Sequence, residues 1–83
     1  MIEAAWIAVQ EVYIMNENII GRNVRMRRER LGLDQKELAE RVGLTNSTIC
    51  RIEGGKRIPG IGNLGRIAKA LGCAPDELLR EGA

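Results

Sequence analysis

The 83-residue sequence has no histidine and no phenylalanine, and its only aromatic residues, Trp6 and Tyr13, lie within the first 13 positions. The absence of histidine removes the commonest general base and the commonest metal ligand of proteins. Because aromatics are so scarce, any core beyond position 13 must consist of aliphatic side chains, which suits packed helices better than a sheet. The length is sufficient for one small domain and too short for two.

Other absences exclude further classes of protein. No apolar run approaches the roughly 20 residues that cross a bilayer, and no basic residue precedes Arg22, so we expect neither a membrane segment nor a secretory signal. Cys50 and Cys73 have neither a CxxC nor a zinc-site spacing. There is no glycine-rich phosphate loop and no nucleophile beside a plausible base. We therefore expect a cytoplasmic protein that is not an enzyme and holds no metal or cofactor.

Charge is distributed unevenly along the chain, although the net charge is only +2. Residues 1–17 carry three acidic residues and no basic one, residues 18–66 carry eleven basic and five acidic residues, and residues 67–83 are again slightly acidic. Ten of the 13 basic residues are arginine, whose planar guanidinium suits phosphate groups and guanine edges. A solvated charged surface would give the same pattern, so charge alone does not identify a partner.

The spacing of apolar residues predicts a series of helices. Residues 2–14 fit one helix face, but the stretch is rich in β-branched residues, and Glu11-Val12-Tyr13-Ile14 could equally be extended. A last short helix begins with Pro75 and is expected to bury Leu78 and Leu79. Between these segments, helices are predicted over residues 18–31, 35–42, 45–53 and 62–71.

Capping signals and glycines set the predicted helix boundaries. Asp34 and Glu37 have the spacing of a capping box, Thr45 is a candidate N-cap, and a glycine follows the end of each helix from residue 18 to residue 71. Gly62 and Gly65 lie inside the predicted helix over 62–71. Since an interior glycine costs about 1 kcal/mol relative to alanine, we expect that helix to begin late or to be loosely formed.

The two short helices on either side of Gly43-Leu44-Thr45 are typical of a helix-turn-helix motif, here over residues 35–53. Ala39 is small where the helices must cross, and Gly43 can adopt the positive φ of a sharp turn. At about 100° per residue, Ile49 and Ile52 define the buried side of the second helix. The exposed side then carries side chains that can hydrogen-bond to base edges: Asn46, Ser47, Cys50 and Arg51.

The sequence from Ile20 to Leu79 resembles the Cro-like phage-repressor helix-turn-helix domains, also called the Xre family. The resemblance is carried without gaps by a series of short matches: Gln35-Lys36-Glu37-Leu38-Ala39, Gly43-Leu44-Thr45, Ser47-Thr48-Ile49, Arg51-Ile52-Glu53, Gly55-Lys56-Arg57, Pro59, Leu64, Ile67-Ala68-Lys69-Ala70-Leu71-Gly72 and Glu77-Leu78-Leu79. It implies an all-α, five-helix lambda-repressor-like bundle over residues 18–83. Residues 1–17 lie outside the resemblance and are expected to form a helical N-terminal extension.

The resemblance also implies roles for individual residues. Those expected to read bases are Gln35, Asn46, Ser47, Cys50 and Arg51, although a polar residue is commoner at the position of Cys50. Those expected to contact phosphate are Gln35, Thr45, Lys56, Arg57 and Arg28. Arg28 is also expected to form a structural ion pair with Glu53, whereas Arg22, Arg25 and Arg27 are interpreted as solvated.

The function that these patterns predict is sequence-specific binding of double-stranded DNA by a small transcriptional repressor, with the helix over 45–53 in the major groove. Because one short helix reads too few base pairs, a homodimer is expected. The alternative is a protein-interaction module of the same fold, such as an antitoxin-type subunit, which would bind a partner through residues 1–17. No small-molecule ligand is expected.

Overall fold

In a computed structural model, which describes residues 19–80, every regular element is helical. Helix α1 covers residues 19–30, and it is followed by α2 (Gln35–Val42), α3 (Asn46–Glu53), α4 (Ile61–Leu71) and a 3₁₀ helix (Pro75–Leu79). The all-α fold is therefore confirmed for this range. The expected five-helix count is not established by it, because the last element is a single short 3₁₀ helix. The extension over residues 1–17 and its predicted helix lie outside the described residues.

Local signals determine the boundaries of α2 and α3. The Asp34 carboxylate accepts a hydrogen bond from the Glu37 backbone at 2.7 Å, and the Glu37 side chain accepts one from the Asp34 backbone at 3.2 Å. This is the predicted capping box. Gly43 ends α2 with a φ of 72°, which only glycine adopts without strain, and the chain turns directly into α3. Helix α2 has its predicted extent, and α3 begins at Asn46, one residue after the predicted start, with the predicted Thr45 as its N-cap.

The start of α4 differs from the expectation. The helix begins at Ile61, one residue before the predicted position, and Gly60 forms its N-cap without a side-chain hydrogen bond. The expected late start was therefore wrong. The physical reason is tertiary packing, since Ile67, Ala68 and Leu71 are buried against the rest of the core and compensate for the low helix propensity of the glycines.

The C-terminal turn also corrects a prediction. Leu78 is fully buried, but Leu79 is 51% exposed. Consecutive residues of a 3₁₀ helix point about 120° apart, so the two leucines cannot both face the core. The 3₁₀ helix therefore contributes one apolar side chain to the domain.

A single aliphatic core joins all four α-helices and the 3₁₀ helix. It contains no aromatic residue within residues 19–80, as the composition predicts. Its fully buried large side chains are Val24, Leu38, Ile49, Ile52, Ile67 and Leu78. No helix in the described part of the chain is both long and apolar enough to span a membrane.

Gly21 brings α1 into direct backbone contact with the end of α3. A Cβ at this position would overlap the carbonyl oxygen of Ile52 and lie 2.8 Å from that of Glu53. These are backbone atoms, so they cannot move aside as the tip of a flexible side chain could. The absence of a side chain at Gly21 therefore sets how closely α1 approaches α3.

Asn23 connects α1 to the C-terminal segment. Its side chain is 5% exposed, and Nδ2 donates to the carbonyl oxygens of Leu78 at 2.8 Å and Arg80 at 2.9 Å. These carbonyls belong to the poorly hydrogen-bonded end of a 3₁₀ helix, and the amide satisfies them inside the protein. No local pattern of residues around Asn23 predicts this role.

Replacing Gly21 with alanine should destabilise the domain by about 1–3 kcal/mol or more, because the new methyl group overpacks a backbone contact. Gly65→Ala is the matched control, since a Cβ at Gly65 meets nothing within 4 Å. That substitution should stabilise α4 by about 0.5–1 kcal/mol. Urea denaturation followed by circular dichroism measures both, and equal effects of the two substitutions would contradict the close contact at Gly21.

Candidate nucleic-acid interface

One side of α3 is buried and the other faces solvent. Ile49 and Ile52 are 0% and 1% exposed, and they anchor the helix to the core. The four residues predicted on the opposite side are all exposed: Asn46, Ser47, Cys50 and Arg51. We call these four residues the α3 outer face. None is acidic, and their i, i+4 spacing aligns Asn46 with Cys50 and Ser47 with Arg51 along the helix.

Thr45 lies at the N-terminal end of this face. Its Oγ1 accepts a hydrogen bond from the Thr48 backbone at 3.1 Å and lies 2.8 Å from Thr48 Oγ1. Thr45 is thus the N-cap of α3, and it is also exposed to solvent. An exposed hydroxyl at a helix N-terminus is well placed to donate to an anion.

Lys56 and Arg57 lie in the turn directly after α3. Gly55 has a φ of 73°, and the Lys56 backbone donates to the carbonyl oxygen of Arg51 at 2.9 Å. Both basic side chains are exposed, and Pro59 is buried at the end of the turn. The turn therefore presents two cations next to the C-terminal end of α3.

The orientation of α3 depends on an ion pair between Arg28 on α1 and Glu53 at its own last position. Arg28 Nε donates to Glu53 Oε2 at 2.7 Å, and Nη2 donates to Oε1 at 2.9 Å. The two side chains are only 11% and 4% exposed. Hydrogen bonding to Glu53 raises the pKa of Arg28 above its ordinary value, so the guanidinium remains charged.

Arg28 also makes a third hydrogen bond, to the backbone between α1 and α2. Its Nη1 donates to the carbonyl oxygen of Leu33 at 2.7 Å, in the segment that precedes α2. Three of its five N–H groups are thus used within the protein. The phosphate contact that the resemblance implies for Arg28 competes with this arrangement, because little of the side chain reaches solvent.

Gln35, the first residue of α2, also hydrogen-bonds to the Glu53 carboxylate. Its Nε2 donates to Glu53 Oε1 at 3.1 Å, and the residue is partly exposed. One Glu53 side chain therefore bonds both to α1 and to α2. The amide of Gln35 is fixed at the edge of the α3 outer face, and its Oε1 accepts no hydrogen bond from residues 19–80.

A shallow groove of about 340 Å³ runs between α1, the start of α2 and the end of α3. Arg25 lines it, although the sequence analysis interpreted this residue as solvated and gave it no role in binding. Arg25 lies one helical turn before Arg28, and that spacing is the signal that could have identified it. Among the described residues, the groove is lined by Arg25, Arg28, Gln35, Cys50, Glu53 and Gly54.

The interpretation of Arg27 as solvated was wrong. Its Nη2 donates to Glu77 Oε2 at 2.8 Å, and the side chain is 19% exposed. Arg27 therefore connects α1 to the 3₁₀ helix rather than to any partner. Among residues 19–80, no group of histidine, cysteine and acidic side chains could hold a metal ion.

The fold and the α3 outer face define a helix-turn-helix domain. The chain belongs to the helix-turn-helix family HTH_3, whose family model matches residues 24–78. The match covers most of the described residues, and both α2 and α3 lie within it.

Individual relatives support the same assignment. The chain is 38% identical to repressor protein C2 of Salmonella phage P22 over 66 residues, which is 80% of this chain and 31% of that protein. It is 51% identical over 49 residues to an uncharacterized HTH-type transcriptional regulator of Methanothermobacter thermautotrophicus, covering 59% of this chain and 71% of the relative. The chain thus spans about a third of the P22 repressor.

A solved structure shows the same fold. The crystal structure of the P22 c2 repressor in complex with the synthetic operator 9T matches with a TM-score of 0.71 and 38% identity, and the match covers 74% of this chain and 92% of that chain. The aligned region therefore corresponds to nearly all of the repressor chain in that complex.

Glu53→Gln should destabilise the domain by about 2–4 kcal/mol, because it leaves the Arg28 guanidinium nearly buried without its counter-charge. Glu29→Gln is the control, since the Arg25–Glu29 pair is 66% and 57% exposed and should contribute less than about 1 kcal/mol. Chemical denaturation of both variants at neutral pH tests this. If both variants lost similar amounts of unfolding free energy, the Arg28–Glu53 pair would contribute no more to stability than an exposed ion pair.

Proposed function

We propose that residues 18–83 form the sequence-specific DNA-binding domain of a cytoplasmic transcriptional repressor, with α3 in the major groove of double-stranded DNA. The observation that carries the proposal is the α3 outer face, which is exposed, has no acidic and no large apolar side chain, and lies on a helix fixed to the core. The related P22 repressor, crystallised with an operator, supports the same mode of binding. No observation on residues 19–80 favours the alternative of a protein-interaction module.

The α3 outer face supplies the base contacts in this proposal. Asn46 can pair with adenine, Arg51 with guanine and Ser47 with either, while the small thiol of Cys50 can contact a thymine methyl group. Gln35 adds an amide at the edge of the face, and its bond to Glu53 fixes its position. Specificity then arises from five side chains on two helices whose relative orientation is set by the protein.

Phosphate contacts position the domain on the duplex. Thr45 lies at one end of α3, and Lys56 and Arg57 lie just beyond the other, so contacts to phosphate bracket the base-reading residues. Such contacts supply much of the affinity and carry no sequence information. Arg28 acts indirectly, because it positions Gln35 and α3 through Glu53.

The protein binds as a homodimer in this proposal. Helix α3 has 8 residues, and at about 1.5 Å per residue it spans roughly 12 Å, which covers only about four base pairs. Two copies on half-sites about one helical turn apart would read enough sequence for a specific site.

Arg51→Ala and Lys56→Ala should have different consequences for DNA binding. Loss of Arg51 should remove about 1–3 kcal/mol of discrimination at one base pair, whereas loss of Lys56 should weaken binding to all sequences and reduce the salt slope by about one. Fluorescence anisotropy over a salt titration measures both. A flat dependence of log Kobs on log salt for the unaltered protein would refute DNA binding.

The two free cysteines provide an internal footprint of the interface. Cys50 is exposed on the α3 outer face, whereas Cys73 is partly buried, and this burial raises the pKa of the Cys73 thiol. Since the thiolate is the reactive form, iodoacetamide at pH 7.5 should modify Cys50 faster than Cys73. With nine-tenths of the protein bound to DNA, Cys50 modification should slow about tenfold by mass action while Cys73 is unaffected.

Mass spectrometry of tryptic peptides distinguishes the two sites. Equal rates at Cys50 with and without saturating DNA would place the duplex away from the α3 outer face. A parallel slowing at Cys73 would indicate a general change in the protein instead of protection at the interface.

A further inference from the structure

The five arginines of α1 are used in two different ways: Arg22, Arg25, Arg27, Arg28 and Arg30. Arg27 and Arg28 are nearly buried and paired with Glu77 and Glu53, so they are committed to the fold. The other three are exposed. The fold therefore accounts for only two of the five cations on this helix.

Arg25 differs from the other two exposed arginines in what lies beside it. It lines the groove formed by Gln35, Cys50 and Glu53, and so lies next to residues of both helices of the helix-turn-helix. Arg22 and Arg30 line a separate depression on α1, together with Arg25, Met26 and Glu29, and neither is among the residues that line the groove beside Gln35. Arg25 is thus the exposed arginine of α1 that borders the proposed DNA interface.

The guanidinium of Arg25 is only partly engaged. Its Nε donates to Glu29 Oε1 at 3.0 Å, and the side chain is 66% exposed. Both terminal nitrogens, which can grip a phosphate through two parallel hydrogen bonds, have no partner among residues 19–80. Because the contact with Glu29 is exposed, exchanging it for another anion costs little.

The groove is also electrostatically suited to an anion. Among the described residues that line it, Glu53 is the one acidic residue, and it is 4% exposed and already compensated by Arg28, so it presents little negative charge to solvent. Gln35 adds an amide on the opposite wall, from the start of α2. A phosphate approaching this groove meets the Arg25 guanidinium, whose terminal nitrogens have no partner among residues 19–80, and the amide of Gln35.

We propose that Arg25 binds a backbone phosphate of the DNA in this groove, exchanging its contact with Glu29 for the phosphate. The proposal rests on the proposed function and extends the interface from α2 and α3 onto α1. Arg25 would then anchor the duplex on the side of α3 that faces α1, while Lys56 and Arg57 anchor it beyond the end of α3.

The test compares two arginine variants that remove the same charge from the same helix, Arg25→Ala and the matched control Arg30→Ala. Binding to a random-sequence duplex of about 20 base pairs, long enough for two half-sites, is followed by anisotropy across a salt titration. Loss of Arg25 should lower the magnitude of the log–log slope by about one, since one phosphate contact releases about 0.9 counterion. Loss of Arg30 should leave the slope near its original value.

Glu29→Gln provides a second test, in which the affinity for DNA is expected to rise. Removing the carboxylate frees Arg25 and should raise affinity about two- to fivefold, and the gain should disappear when Arg25 is also replaced. Thermal unfolding of each variant confirms that the fold is intact, as expected for exposed side chains.

The outcomes separate this proposal from the general function. A flat salt slope for the unaltered protein would refute DNA binding itself and Arg25's role with it. A steep slope that Arg25→Ala and Arg30→Ala alter equally would refute the role of Arg25 alone, as would a gain from Glu29→Gln that persists without Arg25.

Discussion

The position of the helix that carries the candidate site depends on one nearly buried ion pair. Glu53 ends α3 and receives two hydrogen bonds from Arg28 and one from Gln35, while Arg28 also bonds to the carbonyl of Leu33. Charges removed from water are stable only when each has its partners. The pair therefore permits one arrangement of α1, α2 and α3, and the α3 outer face inherits its direction from that arrangement.

Packing and hydrogen bonding hold α1, α3 and the C-terminal segment together. Ile49 and Ile52 anchor the buried side of α3 in the core. Because Gly21 has no side chain, α1 approaches the last turn of α3 closely enough for Arg28 to reach Glu53. Asn23 and Arg27, which are one helical turn apart on α1, hydrogen-bond to the C-terminal 3₁₀ helix. Helix α1 thus supports α3, and the side chains of Arg22, Arg25 and Arg30 on α1 are exposed.

Features that depend on neighbouring residues could be predicted from the sequence itself. Among the contacts between distant residues, the Arg28–Glu53 pair was expected from the family resemblance, whereas the roles of Asn23 and Gly21 were not. The capping box of Asp34 and the turn at Gly43 determine α2 and α3 within a few residues, so both helices and the exposed set on α3 were predictable. Asn23 bonds to carbonyls 55 residues or more along the chain, and Gly21 contacts the backbone of α3. Neither role has a local signal. The register of Leu78 and Leu79 was missed because the last turn is 3₁₀.

Selection of bound sites from a library of random duplexes tests the central claim, that the α3 outer face reads sequence in DNA, most directly. The account predicts enrichment of a two-fold symmetric site whose half-sites are about 10 base pairs apart, centre to centre. It also predicts that replacing Arg51 alters the preferred base at one position of each half-site. A pool that remains unenriched through successive rounds, while the protein stays folded, would contradict the account.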